Sequence, residues 1–204
     1  MQIKEYKGIK QHYFTEFDIR KKTTLRADST FMSATTIRLA TQEDAPTIAL
    51  LGRITFTETF GHLFEKPKDL ADYLERTFAV AKIESSLEKT HNVFWLAHVD
   101  RLPVGFAKLK LHSQAPFQAA VNSCQLQKIY VLRDFLALKI GTALQDRLLQ
   151  KAKALGFENV WLSVLKSNER AIRFYHKNGF EPIGEHDFQI GSQGFDFSAM
   201  AKTL

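Results

Sequence analysis

Thr36-Ile37-Arg38-Leu39-Ala40 alternates apolar and polar residues with the period of a half-buried strand. Thr41-Gln42-Glu43-Asp44 then resembles a capping box, and Ile48, Leu51 and Thr55 recur at helical spacing towards Gly61. A second helix is predicted after Pro67, with Leu70, Tyr73, Leu74 and Phe78 on one face, and a shorter one from Val80 to Lys89. The texture changes at Asn92. Val93–Val99 reads as a strand, Asp100–Pro103 as a turn, Val104–Leu111 and Gln125–Leu132 as two more strands. Lys139–Leu155 is a long helix with Ile140, Leu144, Leu148, Ala152 and Leu155 in one stripe, closed by Gly156. Asn159–Leu165 is a strand and Asn168–Asn178 a helix that stops at Gly179, and Phe180–Ile190 and Phe195–Lys202 end the chain as strands.

This order predicts an α/β fold: a mixed, largely antiparallel central sheet flanked by helices, with a strand–helix–strand unit in its second half. Regular βαβα alternation is lacking, which argues against a Rossmann sheet. Residues 1–31 read instead as an irregular basic N-terminal extension, and residues 32–204 as the folded domain.

Composition narrows the class. The 204 residues are 45% hydrophobic and 25% charged, ordinary for one globular domain. No apolar run reaches the roughly 20 residues of a membrane helix, and Met1–Lys10 lacks the apolar core of a secretory signal. Cys124 is the single cysteine, no Cys/His cluster has metal-ligand spacing, and a reducing cytoplasm is expected. The net charge is +6, and residues 1–31 hold seven basic against four acidic residues. Half of the excess therefore sits in the extension, where Tyr6, Tyr13, Phe14 and Phe17 interleave with it. That is a weak version of a nucleic-acid surface. The remaining basic residues are scattered, which suits a solvated surface and an anionic cofactor better than a nucleic-acid partner.

Two stretches have the residue types for chemistry. Between Gln127 and Leu149 a strand leads into a helix N-terminus, whose unpaired N–H groups and dipole suit phosphate. Ala137, Leu138, Lys139, Ile140, Gly141 and Thr142 form that junction, with a charge on Lys139 and a small residue at Gly141. Further on, Asn168, Ala171, Ile172 and Tyr175 share one helix face, which sets Tyr175 roughly 10 Å along the axis from Asn168. Asn168 taken alone reads as a helix N-cap. Tyr175 alone reads equally as a core tyrosine with its hydroxyl at the rim.

Together these segments resemble the GNAT acetyltransferase superfamily from Ile37 to the C-terminus. Ile37–Ala45 is similar to its first strand and helix, and Ile129-Tyr130-Val131 to its acetyl-CoA-binding strand. Asn168-x-x-Ala171-x-x-Phe174-Tyr175-x-x-x-Gly179-Phe180 resembles its closing motif. Thr57–Leu63, Gln127–Val131 and Gly184–Gly191 resemble the bacterial branch that includes spermidine/spermine (polyamine) N-acetyltransferases. One departure is plain. The family's pyrophosphate loop, Arg/Gln-x-x-Gly-x-Gly/Ala, falls here on Leu136–Gly141, so Lys139 replaces a glycine where a special φ would strain it.

The resemblance implies transfer of an acetyl group from acetyl-CoA to a primary amine, a polyamine or another small amine, by direct attack. The backbone of Ile129, Tyr130 and Val131 would hold the pantetheine arm, the 137–142 junction and Asn168 would complete the cofactor site, and Tyr175 would protonate the departing thiolate. No metal is expected, and a homodimer is compatible. The glutamate that commonly starts the relevant strand is Gln125 here, which leaves Glu58 and His62 as candidate bases. Cys124 reads as a small buried residue, and His98, His112, His176 and His186 receive no role. A non-catalytic acyl-CoA-binding domain of the same fold is the main rival reading, because the pyrophosphate loop is altered. A nucleic-acid-binding protein acting through the basic segment is the second.

Overall fold

The computed structural model describes residues 34–117 and 122–204. The expected N-terminal extension lies outside the described residues. Among the described residues, seven strands and five α-helices follow the predicted order, and the elements are numbered along the chain. β1 (Thr35–Leu39) leads into α1 (Ala45–Phe60), α2 (Pro67–Phe78) and α3 (Val80–Leu87). Then come β2 (Asn92–Val99), β3 (Leu102–Lys110) and β4 (Ser123–Val131). α4 (Ile140–Ala154), β5 (Asn159–Leu165), α5 (Glu169–Lys177), β6 (Glu181–Ile190) and β7 (Gln193–Thr203) complete the fold.

The strands form one sheet in the order β1-β2-β3-β4-β5-β7-β6, antiparallel except for β4 beside β5. Both faces are covered, so β2 reads as a nearly continuous apolar run, with neighbours going to opposite cores. Trp95 and Ala97 pack on one side with Ile140, Leu144 and Leu148 of α4. Phe94 and Leu96 pack on the other with Ile48, Phe56, Phe78 and Ile83 of α1, α2 and α3.

Three junctions differ from the expectation. The Asp100–Pro103 turn is shorter: Asp100 and Arg101 alone turn, both at positive φ, and Leu102 is already paired. Pro103 is accommodated because the β2–β3 register shifts there, which spares the sheet a missing donor. α1 opens after a 3-10 turn, Gln42–Asp44, whose Asp44 carboxylate accepts the Thr41 N–H at 2.8 Å and both terminal nitrogens of Arg38 at 2.7 Å. And β4 does not run directly into α4. Arg133–Leu138 forms a 3-10 segment, and Lys139 takes the left-handed conformation (φ 56°, ψ 21°) before α4 begins.

Candidate active site

β4 and β5 stay together for only three residue pairs, Ser123–Gln125 against Asn159–Trp161. Beyond Gln125 they part, and β5 continues against β7 alone. At the same point β4 carries a bulge. Lys108 faces Lys128 and Leu109 faces Leu126, so Gln127 is the extra residue. The outcome is a cleft of about 780 Å³ that splits the sheet, with the backbone of Leu126–Val131 along one wall. Strand residues paired on one side only offer N–H and C=O groups to whatever enters.

Each side of the fork supplies a different group. Lys139, Gly141 and Thr142 line the cleft at the N-terminus of α4, where the first-turn N–H groups lack intrahelical acceptors. Gly141 stands open, with nothing within 4 Å of where a Cβ would lie. The side chains of Ala137, Leu138 and Ile140 do not line the cleft, and Ile140 is fully buried in the α4-side core. Leu136 lines it in their place. Of the β4 residues, Ile129 and Val131 send side chains to the α4-side core and Tyr130 to the α1 side, where it meets Phe106 edge-on at 5.5 Å. Arg133 ties the junction to α1: its N–H donates to Glu58 Oε2 at 3.1 Å and its guanidinium to the Glu58 carbonyl.

Across the fork, α5 presents Asn168, Ala171, Phe174 and Tyr175, while Ile172 turns into the core. Asn168 is the N-cap, its Oδ1 accepting the Ala171 N–H at 3.1 Å, so the capping role and the place in the cleft coexist. Tyr175 packs edge-on against Phe174 and Phe180 at 5.3 and 5.6 Å. Burial pushes its phenol well above the usual tyrosine range, so it stays protonated at neutral pH.

The other half of the cleft is aromatic. Phe56, Phe60, Phe64 and Tyr73 come from α1, α2 and their connection, and Phe188, Phe195 and Phe197 from the β6–β7 hairpin. The hairpin tip is tied to α2, where the Asp69 carboxylate accepts the Ser192 N–H at 3.0 Å and its hydroxyl at 2.9 Å. His186 also lines this half. Its Nε2 lies 2.9 Å from Ser163 Oγ, and its ring stacks on Phe197 at 5.5 Å with 7° between planes. Of the two expected base candidates, Glu58 lines the cleft and His62 does not; it is exposed on the turn after α1. Gln125 lies just before the fork, paired with Trp161. Cys124 is fully buried with its thiol pushed up to about 12, which makes it an inert core residue.

The chain that builds this cleft is similar to known proteins. The sequence model of the acetyltransferase (GNAT) family fits residues 55–180, which span both walls of the fork. The chain belongs to the GNAT acetyltransferase family. An uncharacterized N-acetyltransferase from the pepI 3′ region of Lactobacillus delbrueckii subsp. lactis is 27% identical over 160 residues, 78% of this chain and 92% of the relative. An uncharacterized N-acetyltransferase of Mycobacterium tuberculosis H37Rv is 27% identical over 138 residues, 68% of this chain and 84% of the relative. Among solved structures, the PaiA N-acetyltransferase of Thermoplasma acidophilum in complex with coenzyme A matches with a TM-score of 0.67. It shares 21% identity and covers 84% of this chain and 99% of that one. NAA60 of Arabidopsis thaliana, in complex with a bisubstrate analogue, matches with a TM-score of 0.63 at 17% identity. That match covers 84% of this chain and 99% of NAA60.

As a GNAT enzyme the protein is an acyl-CoA-dependent acyltransferase that uses acetyl-CoA. The residues present fit that co-substrate. Arg133, Lys139 and Arg170 line the cleft, where Glu58 is the single described carboxylate, and the α4 N-terminus opens beside Gly141. Among the described residues no helix is long and apolar enough to cross a membrane, and no group of three or more His, Cys, Asp or Glu could hold a metal ion. Sequence reasoning missed Lys128, Arg133 and Arg170, and set His186 aside. Strand alternation could have placed Lys128 on the Tyr130 face. Nothing local points to the Ser163–His186 pair, which forms only because β5 and β6 both flank β7.

Proposed function

We propose that the protein transfers an acetyl group from acetyl-CoA to a primary amine by direct attack, with no covalent enzyme intermediate. The observation that carries this reading is the fork between β4 and β5, with α4 opening on one side and Tyr175 on the other. The backbone of Ile129, Tyr130 and Val131, paired with β3 but not with β5, would hold the pantetheine arm and polarise the thioester carbonyl. The N–H groups of Gly141 and Thr142, which follow the left-handed Lys139 backbone, would hold the phosphates. The Asn168 side-chain amide nitrogen remains available as a donor, since its Oδ1 is engaged by Ala171. Tyr175, kept protonated by its surroundings, would donate its proton to the leaving sulfur. Two cleft-facing groups can take the proton of the acceptor ammonium: the Glu58 carboxylate and the His186 imidazole.

The polyamine resemblance of the sequence predicts a polycationic acceptor. Such a molecule would need carboxylates along the acceptor half, and Glu58 is the single described one, with an oxygen already accepting the Arg133 N–H. The acceptor class proposed is therefore a primary amine in the wider sense, with polyamines as one arm of the test. Acetyl-CoA turnover against a panel of polyamines, amino acids and peptides checks it. Tyr175→Phe is expected to lower kcat by roughly 10-fold or more with little change in acetyl-CoA affinity. Full activity in that variant would refute the acid role, and binding of acetyl-CoA without turnover of any amine would favour the non-catalytic reading.

A further inference from the structure

Lys128 is a charge without an obvious reason to be where it is. It lies one residue past the β4 bulge and lines the cleft on the α1 side. Its ammonium sits 5.3 Å from the Phe78 ring and 5.6 Å from the Tyr130 ring. It takes part in none of the ion pairs or side-chain hydrogen bonds among the described residues. Directly opposite on β3 is Lys108, whose ammonium donates to Ser86 Oγ at 2.9 Å and stands 5.2 Å from the Phe94 ring. Among the described residues, the charges that bear on Lys108 are the four cations Lys128, Lys110, Lys89 and Lys82. Burial lowers Lys128 to about 8. The two aromatic faces offset part of the cost of holding this ammonium out of water, and an anionic partner would offset more.

We propose that the acceptor carries an anionic group in addition to its amine, and that Lys128, with Lys108 behind it, receives that group while the apolar part of the acceptor lies among the aromatic side chains. This deepens the amine-acetyltransferase reading and rests on it. The chemistry is that of a carboxylate or a phosphate on an amine with an apolar body. A polycation is excluded by the same argument, since it would meet Lys128 with like charge in a poorly hydrated wall. Lys128 thus sets specificity and performs no step of the transfer.

The test uses the full chain and acceptor pairs that differ by one anionic group: phenylalanine against phenethylamine, 4-aminobutanoate against butylamine, and 2-aminoethyl phosphate against ethylamine, with 1,4-diaminobutane as the polycation. For at least one pair the anionic member is expected to exceed its neutral partner about 10-fold or more in kcat/KM, the size a charge-assisted hydrogen bond carries. Which pair responds separates carboxylate from phosphate. Lys128→Met should erase that preference by raising KM for the anionic member while leaving kcat for the neutral one, and Lys128→Arg should retain part of it. A second readout needs no turnover. With coenzyme A present, 3-phenylpropanoate or 2-hydroxyethyl phosphate should raise the melting temperature of the parent chain and not of Lys128→Met. The diaminobutane being the best acceptor, or Lys128→Met slowing all acceptors alike, or neither anion stabilising the parent chain, would overturn the proposal. Anion stabilisation without turnover of any amine would uphold the anion site and overturn the acetyltransferase reading instead.

Discussion

Lys139 is the last residue before α4 and turns the chain into it in the left-handed conformation. The sequence places it where the related loops carry glycine, and the structure holds it at φ 56°, a conformation that costs an L-residue roughly 1–2 kcal/mol. Lys139→Gly is therefore expected to raise stability by about 1 kcal/mol and to bind acetyl-CoA at least as tightly. Thermal denaturation and calorimetric titration check the two halves separately. A loss of affinity would mean that the ammonium has taken over phosphate binding. Asp44 is a second single-residue case. Hydrogen bonds from Arg38, then the Thr41 N–H, hold its carboxyl at about 2, below the usual 3.8. Its lowered value stabilises the fold at and above pH 4, and that contribution fades as the pH falls from about 4 to about 2. Asp44→Asn should cost on the order of 2 kcal/mol at pH 7, and the gap to the parent chain should close towards pH 2 in denaturant titrations.

At the scale of elements, the acceptor half is built from parts distant in sequence. The β6–β7 hairpin turns on Gly191 and Ser192, and Gly191 has φ +60°. A Cβ there would fall 2.2 Å from the Asp69 carboxyl carbon, the group that holds Ser192. Gly191→Ala should thus loosen the hairpin from α2 at a cost of roughly 1–3 kcal/mol. Steady-state kinetics should show a raised KM for the amine and a nearly unchanged one for acetyl-CoA, because the α4 side of the fork is untouched. Equal loss for both substrates would mean that the hairpin supports the whole cleft. The helix faces of α4 and α5 were readable in advance, since period 3.6 and end signals are local. The bulge at Gln127 was not, because it exists only relative to β3.

For the whole molecule, the described compact unit runs from Ala34 to Leu204. Both cores and all seven strands fall within it. The family match begins later still, at residue 55. We expect a protein reduced to residues 32–204 to keep its melting temperature within a few degrees and its amine preference. A larger drop, or a changed order among acceptors, would assign the first 31 residues to the working domain.

The order of strands and helices, the α4 stripe from Ile140 to Ala152 and the helix face that carries Tyr175 are consequences of short-range spacing, and the sequence alone determined them. Tertiary structure decided what spacing cannot carry. It parted β4 from β5 after three residue pairs, left His62 outside the cleft, and brought His186 beside Ser163 across β7. It also set Lys128 against Phe78 and Tyr130, with Lys108 opposite. Each of these depends on which strands become neighbours and in what register. A one-residue slip there sends every following side chain to the other face of the sheet, so no local pattern specifies it.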